Sequence, residues 1–289
     1  MNHYDKKIEL YFELKDLPES SRESYGRRIR SFISYMNELN RQIETTSEDD
    51  IQQYILYLKK VRGLSAGTIN TYISSIRFFY TYCLEKEWNA KKVPRMKRVP
   101  TFPVIPSRDD ILTLLNTIEN KKHKAIFVLM YGSGLRVSEV ARLKIGDICS
   151  KSMRIRIGNA KHNTNRYTIL SSTALILLRD YFRKEFSNTS FSPDDWLFPG
   201  QDKNHHIHVK TIKNTMIKIK NKVGIDSKIS AHTLRHCFAT HALEDGVDPV
   251  YIQQMLGHSR LQTTLAYLHM TSKSLMGVKS PLDSLGDHQ

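Results

Sequence analysis

Apolar side chains in the first hundred residues recur every three or four positions, which is the spacing of helices with one buried face. Residues 20–39 and residues 65–85 each carry such a face. Ser47, with Asp50 three residues later, predicts a capping box at the start of a helix between them. Together these patterns predict an all-α bundle of four or five helices.

The rest of the chain mixes this helical spacing with a two-residue period. Residues 153–157 alternate apolar and polar side chains like a half-buried strand, and a polar turn separates them from a second apolar segment, residues 167–170. These two segments predict a β-hairpin, with helices before and after it. We therefore expect a mainly α protein with a small antiparallel β-hairpin or sheet.

A basic, proline-rich stretch marks the boundary between the two patterns. Residues 91–108 contain four prolines, six basic residues and no acidic residue. Proline favours an extended chain that cannot join a helix. We therefore expect a helical domain over residues 1–97, a linker over 98–106 and a second domain over 107–289. A solvated tether without contacts is the alternative for the linker.

The charge of the chain points to its partner. The 289 residues include 44 Lys and Arg against 29 Asp and Glu, a formal net charge of +15. Such an excess is typical of a protein that neutralises a phosphate backbone, although a merely soluble basic protein would show it too. No stretch has the length and apolarity of a membrane span or of a secretory signal, so a cytoplasmic protein without a membrane partner is expected.

Three cysteines, Cys83, Cys149 and Cys237, lie far apart and not at metal-ligand spacing. They are interpreted as small buried apolar residues rather than as a disulfide framework.

Several residues in the second domain suit phosphoryl transfer without a metal or a cofactor. Guanidinium groups hold the oxygens of a phosphodiester, a tyrosine hydroxyl can attack it, and a lysine can protonate the leaving oxygen. The chain has neither a carboxylate cluster for two metal ions nor a Walker-type loop for a nucleotide. The candidate residues are Arg136, Glu139, Lys161, His232, Arg235, His258 and Tyr267.

Taken singly, these residues have other interpretations. Arg136 and Glu139 could form a surface ion pair. His232 and His236, four residues apart, could bind zinc, although the glutamate of a zinc protease motif is missing, or they could be helix-surface histidines. Residues 250–269 could form a helix-turn-helix.

Taken together, they resemble the tyrosine recombinase family, which includes phage integrases and Xer-like proteins. The order Arg, Lys, His-x-x-Arg, His, Tyr is the family's order, and the strings GLRVSEV, HTLRHCFATHALEDG and IQQMLGHSRLQTTLAY match it locally. The string GLSAGTINTYISSIRFFYTYCLEKEW is similar to the family's helical core-binding domain. The resemblance implies a two-domain, C-shaped clamp on DNA.

The resemblance also implies roles in proton and phosphoryl transfer. Tyr267 would be the nucleophile that forms a 3′-phosphotyrosyl link, His232 would assist its proton transfer, and Lys161 would protonate the leaving 5′-oxygen. Ala160 and His162 flank Lys161, where the family often has glycines.

Three further residues would hold the scissile phosphate, and a fourth would support them. By the same resemblance, Arg136 and Arg235 would bind its oxygens and His258 would donate a hydrogen bond to it. Glu139 would support the site from its edge.

The resemblance implies partners as well. Double-stranded DNA with specific recombination sites would be bound by a homotetramer on two sites, or by this chain with a related second recombinase. The tail, about residues 270–289, would dock on a neighbouring protomer unless it is a frayed terminus. Integration, excision and resolution of DNA all fit this chemistry. A type IB topoisomerase-like enzyme and a catalytically silent DNA-binding regulator are the alternatives.

Overall fold

The structure divides into two compact units, Met1–Thr101 and Phe102–Gln289. It is a computed structural model that describes residues 3–98, 103–158, 165–187, 190–225 and 229–270. Each unit is organised around its own apolar core. No helix in the described part of the chain is long and apolar enough to cross a membrane.

The first unit is helical, as its apolar periodicity predicts. Its core contains Phe32, Tyr54 and Ile69, all fully buried. Its elements are α1 (His3–Leu14), α2 (Glu19–Glu38), a 3-10 turn (Ile43–Thr45), α3 (Glu48–Lys60), α4 (Ala66–Phe78) and a π-helical turn (Phe79–Cys83).

The predicted capping box at the start of α3 is confirmed. The backbone N–H of Asp50 donates to the Ser47 hydroxyl at 3.3 Å, and the backbone N–H of Ser47 donates to the Asp50 carboxylate at 2.9 Å. These bonds satisfy amide groups that a helix start otherwise leaves without partners.

The chain after the last turn of the first unit stays packed against that unit. The Asn70 side chain donates to the Met96 carbonyl at 2.9 Å and accepts from the Met96 N–H at 2.8 Å, and Val93 is buried. Residues 93–96 are therefore held against the first unit by these contacts. Of the predicted linker, residues 99–102 lie outside the described residues.

The second unit surrounds α6, which is buried along most of its length. Consecutive burial from Ala125 to Met130 explains why this helix lacks a polar face. The helices are α5 (Arg108–Asn116), α6 (Lys121–Ser133), α7 (Val137–Ala141), α8 (Ser172–Phe186), α9 (Val209–Val223), α10 (Ala231–Glu244), α11 (Pro249–Leu256) and α12 (Leu261–Leu265).

The predicted hairpin is confirmed and belongs to a three-stranded antiparallel sheet. Strand β2 (Arg154–Ile157) pairs with β3 (Arg166–Ile169) on one side and with the short edge strand β1 (Ile148–Cys149), which was not predicted, on the other. The Thr168 hydroxyl donates to the Ser133 carbonyl at 2.7 Å, which ties β3 to the end of α6. The turn that contains Lys161 lies outside the described residues.

All three cysteines are free. Cys83 and Cys237 are buried, as predicted. The expectation was wrong for Cys149, which is exposed because it lies on the edge strand of the small sheet.

Candidate active site

The turn between α6 and α7 brings Arg136 towards α10 and α11. Gly134 ends α6 with φ +66°, and a Cβ atom there would lie 2.5 Å from Phe238 and 2.6 Å from Leu256. Only glycine combines this left-handed backbone with so close an approach. Arg136 is the N-cap residue of α7, and its backbone N–H donates to the Glu139 carboxylate at 2.8 Å.

Glu139 is shared by three arginines. The Arg136 guanidinium donates to it at 2.6 Å, Arg166 donates to both of its oxygens at 2.8 and 2.9 Å, and an Arg235 nitrogen lies 3.6 Å away. The Glu139 side chain is only 10% exposed. Burial alone would raise its pKa, but the hydrogen bonds and charges of the arginines outweigh burial and lower the pKa to about 2. The alternative of a surface ion pair is therefore wrong.

Arg235 is the most deeply buried charged group of the site, with 1% of its surface exposed. Its guanidinium donates to the Gly134 carbonyl at 2.8 Å and to the Leu256 carbonyl at 2.6 Å. Burial, with the charge of Arg136, lowers its pKa to about 9, so the group stays protonated at neutral pH.

The cluster carries an excess of positive charge. Three guanidinium groups surround one carboxylate, which leaves two positive charges without a partner among these four side chains. Charges in a partly buried setting interact more strongly than in water. An anion such as a phosphodiester would be attracted to this place.

His258 lies next to the cluster because α11 ends sharply. Gly257 has φ +64°, and a Cβ atom there would lie 2.8 Å from the Arg166 side chain. The His258 Nδ1 and the buried Thr264 hydroxyl lie 2.8 Å apart. Burial, followed by the charges of Arg235 and other arginines, lowers the pKa of His258 to about 4. The ring is neutral at pH 7, and a proton on its Nε2 would be available to a ligand.

Tyr267 follows α12 in a 3-10 turn and is 5% exposed. Its hydroxyl lies 2.8 Å from the His236 Nδ1, and its ring is nearly parallel to that of His258, with centroids 6.2 Å apart. Burial raises the pKa of Tyr267, while the charges of Arg235 and Arg136 act to lower it.

The structure thus brings most of the predicted residues together. Glu139 joins Arg136 to Arg235, and Tyr267 stacks beside His258. His232 is exposed and its ring packs against His236 at 4.5 Å. Within the described residues, the hydrogen-bond partner of the Tyr267 hydroxyl is His236 Nδ1 rather than His232. Lys161 lies outside the described residues.

Three residues of the site were not predicted: Arg166, His236 and Thr264. The sequence suggests His236 only as a zinc ligand or a surface histidine, although its four-residue distance from His232 places both on one helix face. Nothing in the local pattern around Arg166 or Thr264 indicates their contacts, which join distant segments. In the described part of the chain, no group of three His, Cys, Asp or Glu residues could hold a metal ion.

Residues 250–269 do not form the helix-turn-helix that their sequence allows, because the second helix is too short and leads into a buried residue. The second helix, α12, has only five residues and leads into the buried Tyr267.

Two protein domain families match this chain, each over a different part of it. The phage integrase family matches residues 107–274, and the phage integrase N-terminal SAM-like domain matches residues 6–90.

Individual relatives extend over most of the chain. Protein y4qK of Sinorhizobium fredii, an integrase/recombinase by name, is 32% identical over 94% of this chain and 91% of its own length. A tyrosine recombinase of Pseudothermotoga lettingae is 31% identical over 86% of this chain and 87% of its own. The crystal structure of XerH site-specific recombinase bound to palindromic difH substrate has the same fold, with a TM-score of 0.73, 19% identity, and coverage of 94% of this chain and 82% of that one.

Proposed function

Since the chain belongs to the phage integrase family and is a tyrosine recombinase, a DNA strand transferase, we propose that Tyr267 carries out its strand cleavage. In this proposal the phenol oxygen attacks a phosphodiester at a specific site and forms a 3′-phosphotyrosyl ester. The 5′-oxygen of the DNA leaves, and a 5′-hydroxyl of another strand later attacks the ester to rejoin the DNA. One ester is exchanged for another of the same kind, so no ATP is needed.

The observation that carries this proposal is the buried Tyr267 beside an uncompensated cationic cluster. A phosphodiester bound at Arg136 and Arg235 would place its negative charge beside the positive charge that Glu139 alone does not balance. Groups that are already fixed in position stabilise the charge of a transition state without reorganising. Arg235 is fixed in this way by two backbone carbonyls.

His258 is proposed to donate a hydrogen bond from Nε2 to a phosphate oxygen. The Thr264 hydroxyl at Nδ1 supports this role, because a hydroxyl that donates there leaves the ring proton on Nε2. Glu139 is proposed as a positioning residue that holds the arginines in place.

Lys161 is proposed to protonate the leaving 5′-oxygen. It belongs to the segment between β2 and β3, and Arg166, the first residue of β3, is bound to Glu139. The base of this hairpin is therefore anchored to the arginine cluster, which supports a role for Lys161 in the same site. His232 is proposed to assist proton transfer from its exposed position on α10.

Assembly is a proposal of the same kind. Each site cuts one strand, so exchange between two duplexes calls for four active sites, supplied by four copies of this chain or by this chain with a related recombinase. The tail beyond residue 270 is proposed to make the contact between protomers. Such an assembly would act on DNA in the cytoplasm.

Covalent capture tests this function without knowledge of the target site. The protein would be mixed with sheared chromosomal DNA of the organism that encodes it, and the mixture denatured in detergent. Protein-linked fragments would then be isolated and their ends sequenced. We expect recurrent cut positions with protein on the 3′-end, and none with Tyr267→Phe.

Two outcomes would contradict the proposal. An adduct retained by Tyr267→Phe would place the nucleophile elsewhere. Relaxation of a supercoiled plasmid that lacks the captured site, at a rate similar to that of a site-bearing plasmid, would indicate a topoisomerase instead.

A further inference from the structure

We propose that His236 is the residue that accepts the proton of Tyr267 during strand cleavage and returns it during strand joining. This inference rests on the proposed function, because it assigns a partner to the proposed nucleophile. His236 Nδ1 lies 2.8 Å from the Tyr267 hydroxyl, with ring centroids 5.5 Å apart. A proton acceptor has to be within hydrogen-bond reach of the group that it deprotonates, and His236 meets this condition.

The two histidines of α10 occupy different places. His232 and His236 are one helical turn apart, with their rings nearly perpendicular and 4.5 Å apart. His232 is exposed, whereas His236 is half-buried and contacts Tyr267. Of the two, His236 is therefore the one placed to receive the phenol proton directly.

The protonation states fit this direction of transfer. Burial, followed by the charges of His232 and Arg235, lowers the pKa of His236 to about 4, so at neutral pH its ring is uncharged and has a free lone pair. Burial raises the pKa of Tyr267, so the phenol keeps its proton and can donate it in the hydrogen bond. A bound phosphodiester would offset the charge of Arg235 and make the ring a stronger base.

The transfer balances in both directions. In cleavage the Tyr267 O–H bond breaks and an N–H bond forms on His236 Nδ1. The phenol oxygen bonds to phosphorus, and the bond from phosphorus to the 5′-oxygen breaks, with a proton supplied to that oxygen by Lys161. In joining, a 5′-hydroxyl attacks phosphorus, and the imidazolium of His236 returns its proton to the departing phenolate.

The same helix contains a matched control pair. His241 Nδ1 lies 2.9 Å from the Tyr131 hydroxyl, and the His241 side chain is buried. This pair repeats the chemistry of the His236–Tyr267 contact away from the arginine cluster. A substitution that acts only through packing or helix propensity should affect both pairs alike.

The test uses a duplex of the captured site, nicked so that cleavage releases a short fragment and cannot be reversed. Formation of the covalent adduct would be measured in a single turnover for His236→Leu, His236→Asn and His236→Ala, with His241→Asn as the control. Gel-shift binding of the same duplex would establish that each variant is folded.

We expect His236→Leu to lower the cleavage rate by about 100-fold or more, the usual contribution of a general base, while binding stays unchanged. His236→Asn places an amide near the Nδ1 position and can hold the hydroxyl but cannot take its proton, so cleavage should stay at least about tenfold below wild type. Added imidazole should restore cleavage by His236→Ala, with a rate that rises with the unprotonated fraction of imidazole. His241→Asn should cleave at the wild-type rate.

The inference would be overturned by wild-type cleavage in His236→Leu, by full activity in His236→Asn, or by failure of imidazole to restore His236→Ala. An equal loss in His241→Asn would also overturn it, because the effect would then be structural. If the wild-type protein forms no adduct at all, the proposed function itself fails, and that result is distinct from each of these.

Discussion

Helix α10 contacts charged groups near both of its ends, and the two ends differ in burial. Near its start, Arg235 lies close to Glu139, and the two side chains are 1% and 10% exposed. Near its end, Arg108 pairs with Asp245 at 2.8 Å, and about half of each side chain is exposed. Ion pairs with the same chemistry thus occur in two settings on one helix.

The two ends also differ in charge balance. At the start, three guanidinium groups share the single carboxylate of Glu139. At the end, the single guanidinium of Arg108 lies 2.8 Å from Asp245 and 3.9 Å from Glu244. The difference indicates that a contact between a basic and an acidic residue does not by itself identify a site. Burial combined with an excess of one sign of charge is the stronger indication, because such a cluster holds fixed, unbalanced charge that attracts an ion of the opposite sign.

The strongest test of this comparison removes one arginine from each end. We expect Arg235→Ala to lower cleavage by roughly 10³–10⁵-fold, the range for an arginine that contacts a phosphoryl transition state, with site binding retained. Arg108→Ala should cleave at the wild-type rate. Single-turnover adduct formation on the captured site measures both. Comparable losses in the two variants would remove the distinction between the ends.

Stability should follow the same contrast. Arg166→Ala leaves Glu139 buried with fewer partners and should lower the free energy of unfolding by about 3–5 kcal/mol. Arg108→Ala breaks an exposed pair and should cost at most about 1 kcal/mol. Urea unfolding of each variant measures the two losses of unfolding free energy. If Arg108→Ala lost as much as Arg166→Ala, burial would not explain the difference between the two ion pairs.

The dependence of stability on pH should come from the buried end. The pKa of Glu139 falls from 4.5 to about 2 on folding. A lowered carboxyl pKa stabilises the folded state above pH 4.5, and this contribution, on the order of 3 kcal/mol, is lost as pH falls from 4.5 towards 2. Urea unfolding between pH 6 and pH 3 should therefore show a weaker pH dependence in Glu139→Gln than in wild type. An equally steep pH dependence in Glu139→Gln and wild type would contradict this assignment.

The smallest effect is expected at the control pair itself. Tyr131→Phe removes the hydroxyl that contacts His241 and should cost about 1 kcal/mol of unfolding free energy, the usual contribution of one hydrogen bond. Cleavage should be unchanged. If Tyr131→Phe formed the covalent adduct measurably more slowly than the wild type, this end of α10 would also take part in the reaction.

Much of this protein could be predicted because local chemistry specifies it. The three- and four-residue periodicity gives the helices, because it depends only on which side of an element is buried. The two-residue alternation of residues 153–157, followed by a polar turn and the apolar segment 167–170, gives the hairpin in the same way. The candidate residues could be found as well, since Arg136, Arg235, His258 and Tyr267 stand in short strings that resemble a known family. The edge strand β1 was missed because two residues carry no periodicity.

What the sequence alone determined, then, is the set of elements and the kinds of side chain available for chemistry. Only the tertiary structure decided that Glu139 is shared by three arginines from three segments, and that His236 rather than His232 contacts Tyr267. The physical reason is that these contacts depend on close approaches between distant segments. Gly134 allows the chain after α6 to approach α10 and α11 closely, and Gly257 allows the end of α11 to approach Arg166. No local period encodes which segments meet there.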